Sequence, residues 1–337
     1  MTPQAASERP SLAGIEAAAA QIRPYLPETP LIRSEGLSRA LRADVWLKVE
    51  TMSPIGSFKL RGAINALIRA RARARPSGAV TSSTGNHGQG VAYAARLLGL
   101  TSDIFLPPGA NPRKRAMIRA FGGHLHETGR DVDEAKEAAR AFAETHGHVF
   151  IDDGESLDLM EGAGTVGLEV ALALPGVDIL IVPMGSGTLV SGSAAALKAI
   201  QPDARVHAVQ ATGAPAMAES FRARRSVERE ITDTLADGLI CRVPAKLALA
   251  AVLDLVDKAG LVTEEALLAA VHTLLDSGRV LVEPSGAAAL AHAWMAREEL
   301  EGRRVVLVLS GANIAPEALR RAIASPQLIP PEFLPQP

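Results

Sequence analysis

Short apolar runs alternate with longer amphipathic stretches along most of this chain. The runs at 45–50, 79–82, 178–183 and 304–309 are almost continuously apolar, which is typical of strands buried on both faces. The stretches between them repeat apolar residues at helical spacing, as in 131–146. Buried strands that alternate with helices indicate a parallel sheet covered on both sides.

The same pattern, continued along the chain, predicts an α/β fold with two open, mostly parallel twisted sheets and helices on both faces. Residues 226–262 show only weak helical segments. Two strand–helix blocks, 76–151 and the remainder, are the candidate domains. The predicted strands are 45–50, 79–82, 102–106, 123–126, 149–151, 178–183, 206–210 and 304–309.

Composition narrows the class of protein. The chain has 337 residues, enough for two domains, and 47% of them are hydrophobic while only 3% are aromatic. The net charge of -2 gives no reason to expect nucleic acid or an acidic membrane surface as a partner. Cys241 is the single cysteine, which excludes an internal disulfide. With no membrane-spanning run or signal peptide in the sequence, we expect a cytoplasmic globular protein.

One stretch carries the first candidate chemistry. Pro54 and Gly56 form a turn, Ser57 is a suitable N-cap, and Lys59 follows in the first turn of the predicted helix. A charged lysine is unfavourable at the positive end of a helix dipole, whereas a neutral amine there is a nucleophile for carbonyl compounds. Taken alone, the stretch favours a solvated lysine beside Arg61.

Three predicted strands end in small, polar loops that contain glycine, at 82–88, 184–189 and 310–313. Ligands of open α/β sheets bind at the carboxyl ends of the strands, so these loops are expected to share one cleft. The loop Gly185–Thr188 could wrap a phosphate with its N–H groups and hydroxyls, or could simply be a tight turn. The loop 83–87 suits a carboxylate, or could be a heavily capped helix start. Together with a reactive lysine, the loops fit a phosphorylated aldehyde cofactor.

The stretch Gly-Ser-Phe-Lys-Leu-Arg-Gly-Ala at 56–63 resembles the lysine motif of fold-type II pyridoxal-phosphate enzymes, in particular the threonine/serine dehydratase and serine racemase family. The resemblance extends from about Leu12 to Asn313. It implies the tryptophan synthase beta-like fold and bound pyridoxal 5'-phosphate. It also implies a large cofactor-binding domain, 1–75 with 152–337, and a small mobile substrate-binding domain, 76–151.

Site residues follow from the resemblance position by position. Lys59 would be the lysine that bonds the cofactor, and Phe58 would back its ring. Ser310 would meet the ring nitrogen, and Glu283 would lie near the ring. The phosphate loop would consist of Gly185, Ser186, Gly187, Thr188 and Leu189, and the substrate loop of Ser83, Thr84, Gly85, Asn86 and His87, with Asn86 also touching the cofactor.

The implied activity is β-elimination, in which a hydroxy-amino-acid ammonia-lyase converts serine or threonine to a 2-oxo acid and ammonia. The alternatives are an amino-acid racemase that uses Thr84 opposite Lys59, and a dehydratase specific for hydroxyaspartate or phenylserine; the wording of the motifs resembles the hydroxyectoine-utilisation and phenylserine branches. Thr212 and Ala218 stand where many relatives have acidic cation ligands, so we expect no metal. The expected assembly is a homodimer or a higher homo-oligomer.

Overall fold

The computed structural model describes residues 9–109, 112–130, 132–330 and 333. The strands within them are β1 (Leu31–Arg33), β2 (Asp44–Val49), β3 (Gly78–Ser82), β4 (Thr101–Leu106), β5 (His124–Glu127), β6 (Val149–Phe150), β7 (Ile179–Pro183), β8 (Arg205–Ala211), β9 (Lys258–Val262) and β10 (Arg304–Leu309). The helices are α1 (Leu12–Ile22), α2 (Glu35–Leu41), α3 (Lys59–Ala74), α4 (Asn86–Leu97), α5 (Pro112–Ala120), α6 (Val132–His146), α7 (Leu157–Ala173), α8 (Thr188–Ile200), α9 (Ala216–Ala223), α10 (Lys246–Leu255), α11 (Glu264–Asp276), α12 (Pro284–Met295), α13 (Arg297–Leu300) and α14 (Pro316–Ala324).

The larger sheet has the strand order β1-β2-β10-β7-β8-β9 among the described residues, and every neighbouring pair except β1–β2 is parallel. Ile179 and Ile181 of β7 point into one core, with α11, α12 and α14. Leu180 and Val182 point into the other, with α7, α8 and α10. Because successive side chains of a strand face opposite sides, this continuous apolar run needs helices on both faces.

The smaller sheet has the order β5-β4-β3-β6 and is parallel throughout its described strands. Val80 and Phe105 pack against α6 on one face. Ala79 and Ile104 share a core with α3 and α4 on the other. The two sheets confirm the predicted fold class. All four strands lie within 76–151, and the domain boundaries themselves stay a prediction.

The helical expectation for 226–262 is wrong at its end, where 258–262 form the edge strand β9. The sequence pattern of β9 is weak because Gly260 interrupts its apolar residues. A Cβ at Gly260 would lie 2.4 Å from the His292 ring, so the strand accepts no side chain there. None of the described helices is long and apolar enough to cross a membrane.

The N-cap prediction for Ser57 is also wrong, because α3 begins at Lys59 and Phe58 occupies the cap position. Ser57 instead forms an isolated bridge with Gly311, and the Phe58 N–H donates to the Ser310 carbonyl at 3.1 Å. These bonds hold both residues against the loop after β10. The Ser57 hydroxyl still accepts the Lys59 N–H, at 3.4 Å.

Two histidines are buried between the larger sheet and α12. His207 of β8 and His292 of α12 place Nδ1 and Nε2 3.4 Å apart. Burial lowers the pKa of His207 to about 4 and that of His292 to about 4, because a charged ring loses its hydration there. Glu299, 3.7 Å from His207, opposes this shift without overcoming it. Both rings are therefore neutral in the folded protein near neutral pH.

We predict that the free energy of unfolding falls as the pH is lowered from about 6.5 to about 4. In that window the unfolded chain binds protons that the folded pair does not, and each histidine contributes a slope of up to about 1.4 kcal/mol per pH unit. His292→Gln should flatten this dependence in urea unfolding measured at several pH values. His124→Gln, which removes a histidine with a 68% exposed side chain, is the matched control. An equal slope in wild type and His292→Gln would contradict the assignment.

Candidate active site

The start of α3 is fixed against the loop that follows β10. Besides the two contacts of residues 57 and 58, the Ala312 N–H donates to the Gly56 carbonyl at 2.9 Å. The Asn313 amide donates to the Ile55 carbonyl at 2.8 Å. Lys59 and Ser310 therefore belong to one locally bonded unit, although they lie far apart in sequence.

A buried ion network holds the first turn of α3 from the other side. Arg61, 1% exposed, donates to Glu50 at 2.8 and 3.0 Å and to Glu169 at 2.6 and 2.9 Å. Lys48 also bonds Glu169, and its ammonium donates to the Thr29 carbonyl at 2.7 Å. Burial alone would lower the pKa of Arg61, but Glu50 and Glu169 outweigh it and raise that pKa above its usual value. Two cations balance two carboxylates, so no charge in the network lacks an opposite.

The lysine predicted to react has a partner that sequence reasoning did not identify. Lys59 Nζ lies 2.5 Å from Asp153 Oδ2 and 5.0 Å from the centre of the Phe58 ring. Asp153 Oδ1 accepts the Thr188 hydroxyl at 2.9 Å. Burial would raise the pKa of Asp153, but the Lys59 ammonium outweighs it and holds that pKa well below its usual range. Asp153 is therefore an ionised carboxylate between Lys59 and the start of α8.

The predicted phosphate loop turns sharply into α8. Gly187 has φ +98° and stands at the N-cap, where a Cβ would lie 2.9 Å from Met217 and 3.2 Å from Val252. A Cβ at Gly185 would lie 2.5 Å from the Gly238 carbonyl oxygen. Both positions therefore require glycine. The Ser186 and Thr188 hydroxyls lie 3.2 Å apart at the helix end.

One cavity joins these parts of the site. Its lining includes Ser310, at the end of β10, together with Phe58, Lys59, Pro183, Gly185, Ser186, Gly187, Thr188, Leu189, Gly238 and Leu239. The start of α8 lines this cavity, and the N-terminus of a helix favours an anion. An amine, an anion-binding helix end and a hydroxyl in one cavity fit pyridoxal phosphate. The predicted cofactor residues of three separate loops are thus brought together.

The predicted substrate loop begins α4 on the opposite side. Asn86 is the first residue of that helix, and its amide donates to Glu283 Oε1 at 2.6 Å while accepting from Asn313 at 2.8 Å. Glu283 is 2% exposed, and its Oε2 has no hydrogen-bond partner among the described residues. Burial raises the pKa of this carboxyl, despite the nearby Lys114 ammonium. Glu283 Oε2 is therefore available to a ligand atom.

The remaining loop residues are ordered by local bonds. The Ser83 N–H donates to the Phe105 carbonyl at 3.0 Å, and its hydroxyl accepts the Gly85 N–H at 3.2 Å. His87 lies with Nε2 3.3 Å from the Ile151 carbonyl, and burial lowers its pKa, so the ring is neutral. Thr84 lies between these contacts, half-buried in the turn before α4.

Three further residues were missed from the sequence: Asp153, Asn313 and Lys114. Lys114 of α5 crosses to an ion pair with Asp237, on the other side of the substrate loop. Asp153 could have been found, because the pair Asp152-Asp153 directly follows a predicted strand, at the edge where ligands bind. Within the described part of the chain, no group of three or more acidic, histidine or cysteine side chains is arranged to hold a metal ion.

Comparisons with known proteins identify the family of this chain. A family model described as "Pyridoxal-phosphate dependent enzyme" matches residues 22–311. The L-threonine ammonia-lyase of Geobacter sulfurreducens is 37% identical over 300 residues, which cover 89% of this chain and 75% of that protein. A catabolic L-threonine dehydratase of Staphylococcus aureus is 35% identical over 308 residues, covering 90% and 89%.

Solved structures give the same result. Maize serine racemase superimposes with a TM-score of 0.88 at 31% identity, covering 94% of this chain and 98% of that one. The processed form of threonine deaminase isoform 2 from Solanum lycopersicum has a TM-score of 0.87 at 29% identity, covering 96% and 93%. The fold is thus similar to that of a serine racemase and of a threonine deaminase.

We predict that Gly187→Ala weakens the retention of pyridoxal phosphate, because φ +98° disfavours any side chain and the new Cβ would displace the start of α8. Cofactor content after dialysis measures the effect. Gly302→Ala is the matched control, since Gly302 has φ +72° with nothing within 4 Å of its Cβ position and is remote from the cavity. Both variants should lose stability, but only Gly187→Ala should lose cofactor. Equal retention in the two would place the phosphate elsewhere.

Proposed function

The chain belongs to the family of pyridoxal-phosphate dependent enzymes, and we propose that it is a hydroxy-amino-acid ammonia-lyase. The reaction converts a β-hydroxy amino acid such as threonine or serine to the 2-oxo acid and ammonia. Loss of H from Cα and OH from Cβ leaves an enamine, and its imine tautomer takes up water to give the 2-oxo acid and ammonia, so atoms balance without an oxidant. The observation that carries the proposal is that Lys59 lines the same cavity as the Gly185–Leu189 loop.

Each part of the cavity has a distinct task in this proposal. The backbone N–H groups and hydroxyls of 185–189 hold the phosphate, where the positive end of the α8 dipole favours an anion. Phe58 packs against the ring, and Ser310 offers a hydroxyl, a neutral partner, to the ring nitrogen. Asn86 and Glu283, bonded to each other at 2.6 Å, would contact the cofactor. When bound, pyridoxal phosphate supplies an electron sink that stabilises negative charge at the substrate Cα.

Lys59 handles the protons. Its Nζ takes the proton from Cα, and the resulting ammonium can return a proton to the departing β-hydroxyl. Ser83, Thr84 and Gly85, in the turn before α4, bind the substrate carboxylate with hydroxyls and N–H groups near a helix start. Holding the carboxylate there orients the Cα–H bond toward Lys59. The neutral His87 ring behind this loop adds no second positive charge.

A second candidate activity is amino-acid racemisation, which the likeness to maize serine racemase favours. Inversion at Cα requires a proton donor on the face opposite Lys59, and Thr84 provides a hydroxyl in the substrate loop. Elimination requires no such group. The threonine enzymes among the relatives favour elimination as the main activity. A preference for hydroxyaspartate or phenylserine within the same chemistry remains an alternative.

We further propose that the enzyme works in the cytoplasm as a homodimer or larger homo-oligomer, and that the 76–151 unit moves to close over the substrate. The edge strand β1 supports assembly, since it carries the 47% exposed Ile32 at an open edge of the larger sheet. The ion pair of Lys114 with Asp237 supports closure, because it links the α5 side of the site to the larger sheet's side.

We predict that Lys59→Ala abolishes 2-oxo acid release and the visible absorption band of the bound cofactor. None of the other described lysines lines the cavity, so no other amine replaces the nucleophile and the base. Lys246→Ala, which removes an exposed lysine at the start of α10, is the control and should retain both. A Lys59→Ala protein with an unchanged band and rate would refute the proposed function.

Thr84→Val separates the two activities, because it removes the hydroxyl while keeping the size of the side chain. We predict that any racemase activity is lost, whereas elimination continues with weaker carboxylate binding worth about 1 kcal/mol for one hydrogen bond. Chiral analysis of recovered amino acid, paired with 2-oxo acid release, measures both. Rapid inversion with negligible 2-oxo acid from every β-hydroxy amino acid tested would overturn the lyase assignment.

A further inference from the structure

The carboxylate of Asp153 contacts the start of α8, where the phosphate is expected to bind. Its Oδ1 accepts the hydroxyl of Thr188, the first residue of α8, at 2.9 Å. Its Oδ2 lies 2.5 Å from Lys59 Nζ. These are the helix end and the amine that the cofactor also requires. The side chain is 26% exposed, so most of its surroundings are protein.

Against burial, which raises the pKa of Asp153, Lys59 lowers that pKa most, and the His87 ring and the Thr188 hydroxyl lower it less. Burial lowers the pKa of His87, so that ring is neutral near neutral pH. Cys241 also lies nearby, and burial, with a smaller contribution from Asp153, raises the pKa of its thiol to about 12, so it too is neutral. Of the described residues, Lys59 is the cation that bonds Asp153 directly. Asp152, next in sequence, is paired elsewhere, with Lys136 at 2.6 Å and Arg140 at 2.7 Å.

Binding of the cofactor disturbs this balance twice. If Lys59 reacted with the aldehyde, its Nζ would no longer be a free ammonium dedicated to Asp153. At the same time a phosphate with up to two negative charges arrives at the same helix end. Like charges at such short distances repel strongly when water is partly excluded. The carboxylate must then turn away, bind a proton or tolerate the repulsion, and each of these lowers cofactor affinity.

We infer that the Asp153 carboxylate competes with the cofactor's phosphate. In the cofactor-free protein, Asp153 bonds Thr188 and Lys59, and this pairing weakens cofactor binding. This inference rests on the proposed function, because it takes pyridoxal phosphate as the ligand. It assigns the residue a role in cofactor loading rather than in the chemistry. In such an enzyme Lys59 stays paired with Asp153 until the cofactor binds. The bound cofactor also dissociates more readily than it would without Asp153.

The test compares phosphate binding by cofactor-free protein in wild type and Asp153→Asn. The probe is 4-deoxypyridoxine 5'-phosphate, which carries the ring and phosphate but no aldehyde, so it cannot bond Lys59. We expect Asp153→Asn to bind it about tenfold to a hundredfold more tightly, since one nearby negative charge has been removed. Inorganic phosphate should show the same direction. Pyridoxine, which has the ring without phosphate, should bind both proteins equally.

Asp152→Asn is the matched control, because it removes the same charge one residue away from the cavity. It should leave the affinity for the phosphate probe within about twofold of wild type. Asp153→Ala serves as a second variant if the asparagine protein does not fold. Unchanged or weaker probe binding in the Asp153 variants would overturn the inference. An equal gain in Asp152→Asn would overturn it too, because net charge alone would explain the effect.

The same titrations separate this inference from the proposed function. Wild-type protein that retains pyridoxal phosphate and releases 2-oxo acid supports the function whatever the Asp153 variants do. Wild-type protein that binds neither the cofactor nor the phosphate probe would refute both. If the wild-type protein catalyses a different reaction but Asp153→Asn binds the phosphate probe more tightly, the inference about Asp153 still holds.

Discussion

The burial of Arg61 is the constraint on which the active site depends. A guanidinium that is 1% exposed is stable only where carboxylates surround it, and Glu50 and Glu169 do so from two different elements. Glu50 follows β2 and Glu169 belongs to α7, so the network fixes α3 relative to both. Lys59 lies two residues before Arg61 and is held in place with it. Removal of any one charged side chain would leave an unpaired ion in the interior. The network is therefore stable only when every member is present.

Close backbone contacts complete the positioning of α3. A Cβ at Gly62 would lie 2.9 Å from the Leu159 carbonyl, and one at Gly162 would lie 2.7 Å from the Arg61 carbonyl. The helices α3 and α7 therefore touch through their backbones, which only glycine allows. The lysine end of α3 is thus held by charge, by close packing and by the loop after β10.

Sequence patterns predicted the parts of this protein that depend on local physics. Buried strands such as β7 and β10 were recognisable, since a strand covered on both faces is apolar at every position. Lys59 could be singled out because a charged lysine is unfavourable at the start of a helix, and the loop 185–189 because its glycines indicate a tight turn. The edge strand β9 was missed because its glycine is required by His292, a residue far away in sequence. Asp153 was missed for the same kind of reason, since its meaning depends on Lys59 and Thr188, which only the fold brings near.

The position of β10 governs the order in which the molecule can form during synthesis. This strand lies between β2 and β7 and pairs with both, so the larger sheet stays in two pieces until residue 309 has been made. The smaller sheet uses only 78–150 and can fold while translation continues. Ser310 and Asn313 join the site last, together with β10. A nascent chain can therefore form the sheet that carries the substrate loop early, but cannot assemble the cofactor cavity until Ser310 has left the ribosome.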